Sequence, residues 1–150
     1  MCWIGENIER IAKEDIPCFK IVRKTEAKDV VESVYMHKCY QLNKLYELED
    51  VIIPELGYNY NGRPCGIYRG FHSYNSDVTV RITNDDVTPI YFVVYSGDIA
   101  PRMLDSFFIA IDNLCKVEGI IPKGSTYYLN RQGEYVSNKI KLLRIEQRYI

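Results

Sequence analysis

The amino-acid sequence predicts a single α+β domain, a mostly antiparallel sheet with one or two packed helices. Three observations lead there. Short runs of β-branched and aromatic residues recur between turn signals. Two stretches repeat apolar residues at helical spacing. A length of 150 residues, 47% of them hydrophobic, suffices for one core and not for two.

Ile4, Ile8, Ile11 and Ala12 fall at helical spacing between Gly5 and Lys13, and Pro17 ends the pattern because proline cannot continue a helix. A short amphipathic helix is expected there. Cys18-Phe19-Lys20-Ile21-Val22-Arg23 is apolar and β-branched and predicts the first strand, closed by a Lys24-Thr25-Glu26 turn. Within residues 30–48 the sheet preference of Val30, Val31, Val34 and Tyr35 favours two short strands over a helix. Gly57, Asn59, Asn61, Gly62, Pro64 and Gly66 give residues 54–66 the chemistry of a loop.

Residues 67–74 read as a strand, and residues 78–83 alternate apolar and polar up to an Asn84-Asp85-Asp86 turn. Ile90-Tyr91-Phe92-Val93-Val94-Tyr95 is apolar on both faces and predicts a central strand. Asp98 caps an expected helix running to Cys115, with Met103, Phe107, Ala110, Ile111 and Leu114 as its stripe. Strands over 117–121, 126–128 and 140–145 follow, the first two joined by a Pro122-Lys123-Gly124 turn.

The 19 basic and 20 acidic residues nearly cancel, which removes the usual electrostatic ground for nonspecific nucleic-acid or membrane binding. Their distribution is uneven. Residues 1–44 hold 8 basic and 7 acidic side chains, residues 45–115 hold 4 and 10, and residues 116–150 hold 7 and 3. The basic last segment suits either an anionic ligand or a solvated, lysine-protected strand edge. Five widely spaced cysteines without a C-x-x-C pair point to reduced thiols. Met1 to Glu6 shows neither the basic nor the apolar region of a signal peptide, and no apolar run approaches roughly 20 residues. A cytoplasmic protein is therefore expected.

Complete catalytic or metal sets are not evident. His37 and Cys39 share a strand face, but two ligands do not close a zinc site, and Cys65 or His72 would have to complete it. No glycine loop has phosphate-cradling spacing. Thirteen tyrosines, with the pairs Tyr58/Tyr60 and Tyr127/Tyr128, suit stacking on a flat ligand or packing on a sheet. The most distinctive cluster is Gly70-Phe71-His72-Ser73-Tyr74, a histidine between an aromatic and a serine at a strand end after a glycine-rich loop.

Cys2-Trp3-Ile4-Gly5, the Gly70 to Tyr74 cluster, Ile121-Pro122-Lys123-Gly124-Ser125-Thr126-Tyr127-Tyr128 and Tyr135-Val136-Ser137-Asn138-Lys139-Ile140 together resemble a family of small uncharacterised proteins from bacteriophages and gut bacteria. That resemblance implies an accessory role, such as sequestering a host signal or countering defence. A more remote one is to ADP-ribosyltransferases. Arg23 at the end of the first strand, Gly70 to Ser76 and Gln132-Gly133-Glu134 are similar to that family's diphosphate-holding arginine, nicotinamide-shaping strand and catalytic carboxylate element. It departs from the family at Tyr74, Asn75 and Val136.

The expected function is a noncatalytic, phage-type accessory protein that binds a small anionic, nucleotide-like ligand or a host protein, without cofactor or metal. The expected contacts are Arg23, Tyr68, Arg69, Phe71, His72, Ser73, Tyr127, Gln132 and Glu134. The alternative is an ADP-ribosyltransferase-like enzyme using NAD, with Arg23, Ser73 and Glu134 at its centre. In a third reading the aromatic patches form an interface in a structural or homo-oligomeric protein.

Overall fold

A computed structural model describes residues 8–33, 38–49, 57–58, 64–65, 70–76, 79–84, 89–94, 102–103, 114–130 and 133–149. Every regular element among them is a β-strand, and every strand pair is antiparallel. The expected α+β class is thereby corrected to an all-strand one. The strands in chain order are β1 (Arg10–Ile11), β2 (Ile16–Lys24), β3 (Val30–Ser33), β4 (Cys39–Gln41), β5 (Leu45–Glu47), β6 (Gly57–Tyr58), β7 (Pro64–Cys65) and β8 (Phe71–Asn75). They continue as β9 (Thr79–Asn84), β10 (Pro89–Val94), β11 (Arg102–Met103), β12 (Leu114–Ile121), β13 (Thr126–Leu129), β14 (Glu134–Ser137) and β15 (Lys139–Tyr149).

Neither expected helix occurs among the described residues, where the backbone instead takes partners from other strands. Arg10 and Ile11 pair with Tyr127 and Thr126, and Ala12 exchanges backbone hydrogen bonds with Gly124 and Ser125. A short helix gains few hydrogen bonds after its costly first turn, whereas this edge pairing meets a strand already held in the sheet. Ile11 is left 65% exposed, so the helical spacing of the isoleucines does not define a buried face. In the second stretch Arg102 and Met103 pair with Val93 and Phe92, and Leu114 and Cys115 open β12. Phe107, Ala110 and Ile111 lie outside the described residues.

β2 organises the large, ten-stranded sheet, whose main order is β1-β13-β14-β8-β2-β12-β15-β5. One edge of β2 pairs with β12 over its length, from Ile16↔Ile121 to Arg23↔Leu114. Its other edge is shared. β8 takes Cys18 and Phe19, whereas β3 takes Val22, Arg23 and Lys24. The sheet forks at Lys20 and Ile21.

Only Asn138 separates β14 from β15, although β8, β2 and β12 stand between them in the sheet. The sheet must therefore curl until those two strands nearly meet. Cys18, Val22, Val31, Tyr40, Phe71, Cys115, Val117, Ile121, Tyr135, Ile140 and Leu142 form the core inside the curl. Strict alternation of buried and half-buried residues from Cys115 to Ile121 marks the inner face of β12.

Gly119 sits where the β12–β15 register shifts, and a Cβ there would lie 2.9 Å from the Lys141 carbonyl oxygen. A backbone oxygen in a ladder cannot step aside. Gly119→Ala is expected to cost roughly 1–3 kcal/mol, seen as a lower urea midpoint with an unchanged slope. Separately, β9, β10 and β11 form a meander with β10 in the middle. Within the expected loop over residues 54–66, β6 and β7 pair with each other. Among the described residues no helix is long and apolar enough to cross a membrane.

Candidate functional site

Glu134 is positioned by its own hairpin. Asn130 and Glu134 are joined twice: the Asn130 side-chain Oδ1 accepts from Glu134 N at 2.9 Å, and Asn130 N donates to the Glu134 carbonyl at 3.1 Å. Gly133 takes the left-handed conformation that closes such a turn, with φ 81°. Asn130 Nδ2 then donates to Glu134 Oε2 at 3.3 Å, and Glu134 Oε1 lies 3.0 Å from His72 Nδ1. The carboxylate is buried, and the histidine side chain is 22% exposed at its margin. This arrangement orients the imidazole and gives a buried carboxylate two side-chain partners.

The register separates the expected contacts onto two faces. His72 pairs with Val136 and Tyr74 with Glu134, so His72 and Glu134 share the outer face. Ser73 pairs with Tyr135 and Phe71 with Ser137, which places Phe71 and Ser73 inside. Tyr127, paired with Ser137, is also inside and packs edge-on against Tyr135 at 5.9 Å. Arg23 lies four residues beyond Phe19 along β2, roughly 13 Å from where that strand meets β8. The strands thus join His72 to Glu134 and Phe71 to the core, and they do not bring Arg23, Ser73 and Glu134 to one point. Tyr68, Arg69 and Gln132 lie outside the described residues.

A second cluster lies inside the fork, on residues that motif reading passes over. Lys20 is on the inner face with Cys18 and Val22, where β8 and β3 part, and its ammonium donates to the His72 carbonyl at 2.7 Å. Its Nζ is 6.0 Å from the ring centroid of Tyr40, and Lys38 Nζ is 5.3 Å from the same centroid. Lys38 also lies 4.6 Å from the ring centroid of Phe71 and 5.3 Å from that of Tyr46. Tyr40 meets Tyr46 and Phe71 edge-on, at 5.0 and 6.2 Å. No carboxylate lies within salt-bridge distance of Lys20 or Lys38 among the described residues.

The electrostatics follow from burial. Loss of solvent draws the Lys20 ammonium down from 10.5 to about 8; Lys38 adds to the fall, while Cys18 and Glu134 oppose it. Burial also lowers Lys38. Enclosure raises the Cys18 thiol to about 11, against the pull of Ser73 and Lys20, so it is no ready nucleophile. Ser73 Oγ itself is buried without a hydrogen bond of good geometry; the thiol is only a weak neighbour. Cys39 is an exposed free thiol, and no group of three or more metal-ligating side chains occurs among the described residues. His37 lies outside them.

One signal would have revealed Lys20. A strand apolar on both sides of a single lysine must bury that lysine's stem and find a partner for its ammonium. Lys38 and Tyr46 carry no comparable mark, since their neighbourhood depends on the turn between β4 and β5. Comparison of the chain with models of protein families, with curated proteins and with solved structures finds no match in any of the three.

Proposed function

We propose that the protein is a binding module for a small anionic, nucleotide-like ligand, held at the fork between β3, β4 and β8. The observation that carries this reading is the pair Lys20 and Lys38, two ammoniums on one tyrosine ring, neither with a carboxylate at salt-bridge distance among the described residues. Like charges gathered in a partly desolvated place repel, and an anion relieves that repulsion. Lys38 is exposed and meets the anion directly, while Lys20 lies enclosed behind it. The resemblance to phage and gut-bacterial proteins supports an accessory role in a host cytoplasm, where such a module would sequester a nucleotide signal.

A thermal-shift panel of nucleotides and ADP-ribose-containing compounds tests this. Saturation at about 100 times Kd stabilises by about 2.7 kcal/mol, a rise of roughly 5–10 °C for a domain of this size. Lys38→Ala is expected to remove the rise. Flat melting curves for the wild type across the panel would overturn the proposal. Labelled NAD is included as one arm. Transfer of label that Glu134→Gln abolishes would instead favour the transferase alternative, in which Glu134 stabilises charge on the ribose.

A further inference from the structure

The β4–β5 turn adds a third ammonium to the two at the fork. Asn43 adopts a left-handed conformation at φ 64° and donates its backbone N–H to the Leu142 carbonyl at 2.7 Å, which fixes the turn on β15. Lys44 follows, with its Nζ 5.4 Å from the ring centroid of Tyr46. That ring is itself held, because Tyr46 Oη accepts the Gln41 N–H at 2.8 Å and Tyr40 packs on it edge-on. Tyr40 and Tyr46 thus alternate with Lys20, Lys38 and Lys44 in one row. No carboxylate lies within salt-bridge distance of Lys44 among the described residues.

From this row we infer that the ligand is a nucleotide carrying at least two phosphate groups, its base lying against Tyr46 and its phosphates shared between Lys38 and Lys44. The inference rests on the binding function proposed above and adds the chemical class. An ammonium on an aromatic ring contributes about 0.5–1 kcal/mol at an exposed site, less than it gains from an ionised phosphate oxygen. Lys38 and Lys44, both exposed, can therefore leave the ring for a phosphate. Their departure uncovers the ring face on which a base stacks. One phosphate serves one of the two ammoniums well, and a second phosphate serves the other.

Equilibrium binding to the full chain tests this with five probes: inorganic phosphate, inorganic diphosphate, a nucleoside monophosphate, a nucleoside diphosphate and a phosphodiester-linked dinucleotide bearing a 5′-phosphate. The expected result is at least tenfold tighter binding of one or both two-phosphate nucleotides than of the monophosphate. Preference for the diphosphate would mean adjoining phosphates, and preference for the dinucleotide would mean phosphates spaced by a nucleoside. Lys44→Ala, at an exposed position, should reduce that advantage to less than threefold, because it weakens the two-phosphate nucleotides by more than the monophosphate. Tyr46→Leu should weaken the nucleotides and spare inorganic diphosphate. Equal affinity for monophosphate and two-phosphate nucleotides, or an advantage unchanged in Lys44→Ala, overturns the inference while the binding function stands. Failure of every probe to bind overturns both.

Discussion

Lys20→Met is expected to make the protein more stable at pH 7 and, under the binding function proposed above, poorer at holding an anion. Depression of the Lys20 ammonium from 10.5 to about 8 corresponds to about 3 kcal/mol of unfavourable charge burial. Methionine removes that cost and fills the same space. It leaves the His72 carbonyl without the 2.7 Å bond from Lys20, a loss of about 1–2 kcal/mol. The net gain is about 1–2 kcal/mol, measured by urea unfolding.

The pH dependence identifies the cause. Below pH 8 the ammonium is charged in both the folded and the unfolded chain, so wild type bears the full penalty. Between about 8 and 10.5 the folded state has released the proton and the unfolded state still holds it, so stability rises with pH. The methionine variant lacks that rise, and its advantage shrinks across the window. Anion affinity runs the other way. It should fall by about tenfold in Lys20→Met at pH 7, and in wild type as pH passes through 8, because the same positive charge is lost.

Glu134→Ala is expected to cost about 3 kcal/mol, since it opens a cavity and deprives His72 Nδ1 and Asn130 Nδ2 of their carboxylate. Glu134→Gln preserves the volume and one acceptor and should cost about 1 kcal/mol. Denaturant midpoints of the two variants separate cavity from charge. If Glu134 only holds the outer face, the glutamine variant binds nucleotides as wild type does. A variant that stays folded and loses binding would place the ligand on the outer face, beside His72.

What could be read in the sequence follows from how local each signal is. Residues 18–23, 79–83, 117–121 and 140–145 carry β-branched residues or alternation within the segment itself, and each falls on a strand. β1, β5 and β14 carry no such mark. Arg10 and Ile11 extend because Tyr127 and Thr126 offer an edge, and Leu45 because Lys141 does. All four residues of Glu134-Tyr135-Val136-Ser137 are buried, two of them polar, because strands cover both sides and the Asn130 hairpin satisfies the glutamate. The motif Gly70 to Tyr74 falls largely on one strand, β8. Alternation then divides it, with Phe71 on the inner face, where Lys38 lies over its ring, and His72 toward Glu134 outside. Lys38, Tyr40, Lys44 and Tyr46 come together through a turn anchored on Leu142, about a hundred residues away, and no local pattern announces that.

The central ladder has a consequence for synthesis. β2 meets β12 only after some ninety intervening residues have been made, which takes roughly 5–20 s at ordinary elongation rates. During that time Ile16-Pro17-Cys18-Phe19-Lys20-Ile21-Val22 is a hydrophobic, β-prone segment without its principal neighbour. Such segments are where nascent chains associate, and a charge in their midst is the usual guard. Lys20 would then serve twice, discouraging aggregation while β2 waits for β12 and later marking the fork where the sheet divides. A chain bearing Lys20→Met, though firmer once folded, is expected to yield less soluble protein on expression at 37 °C.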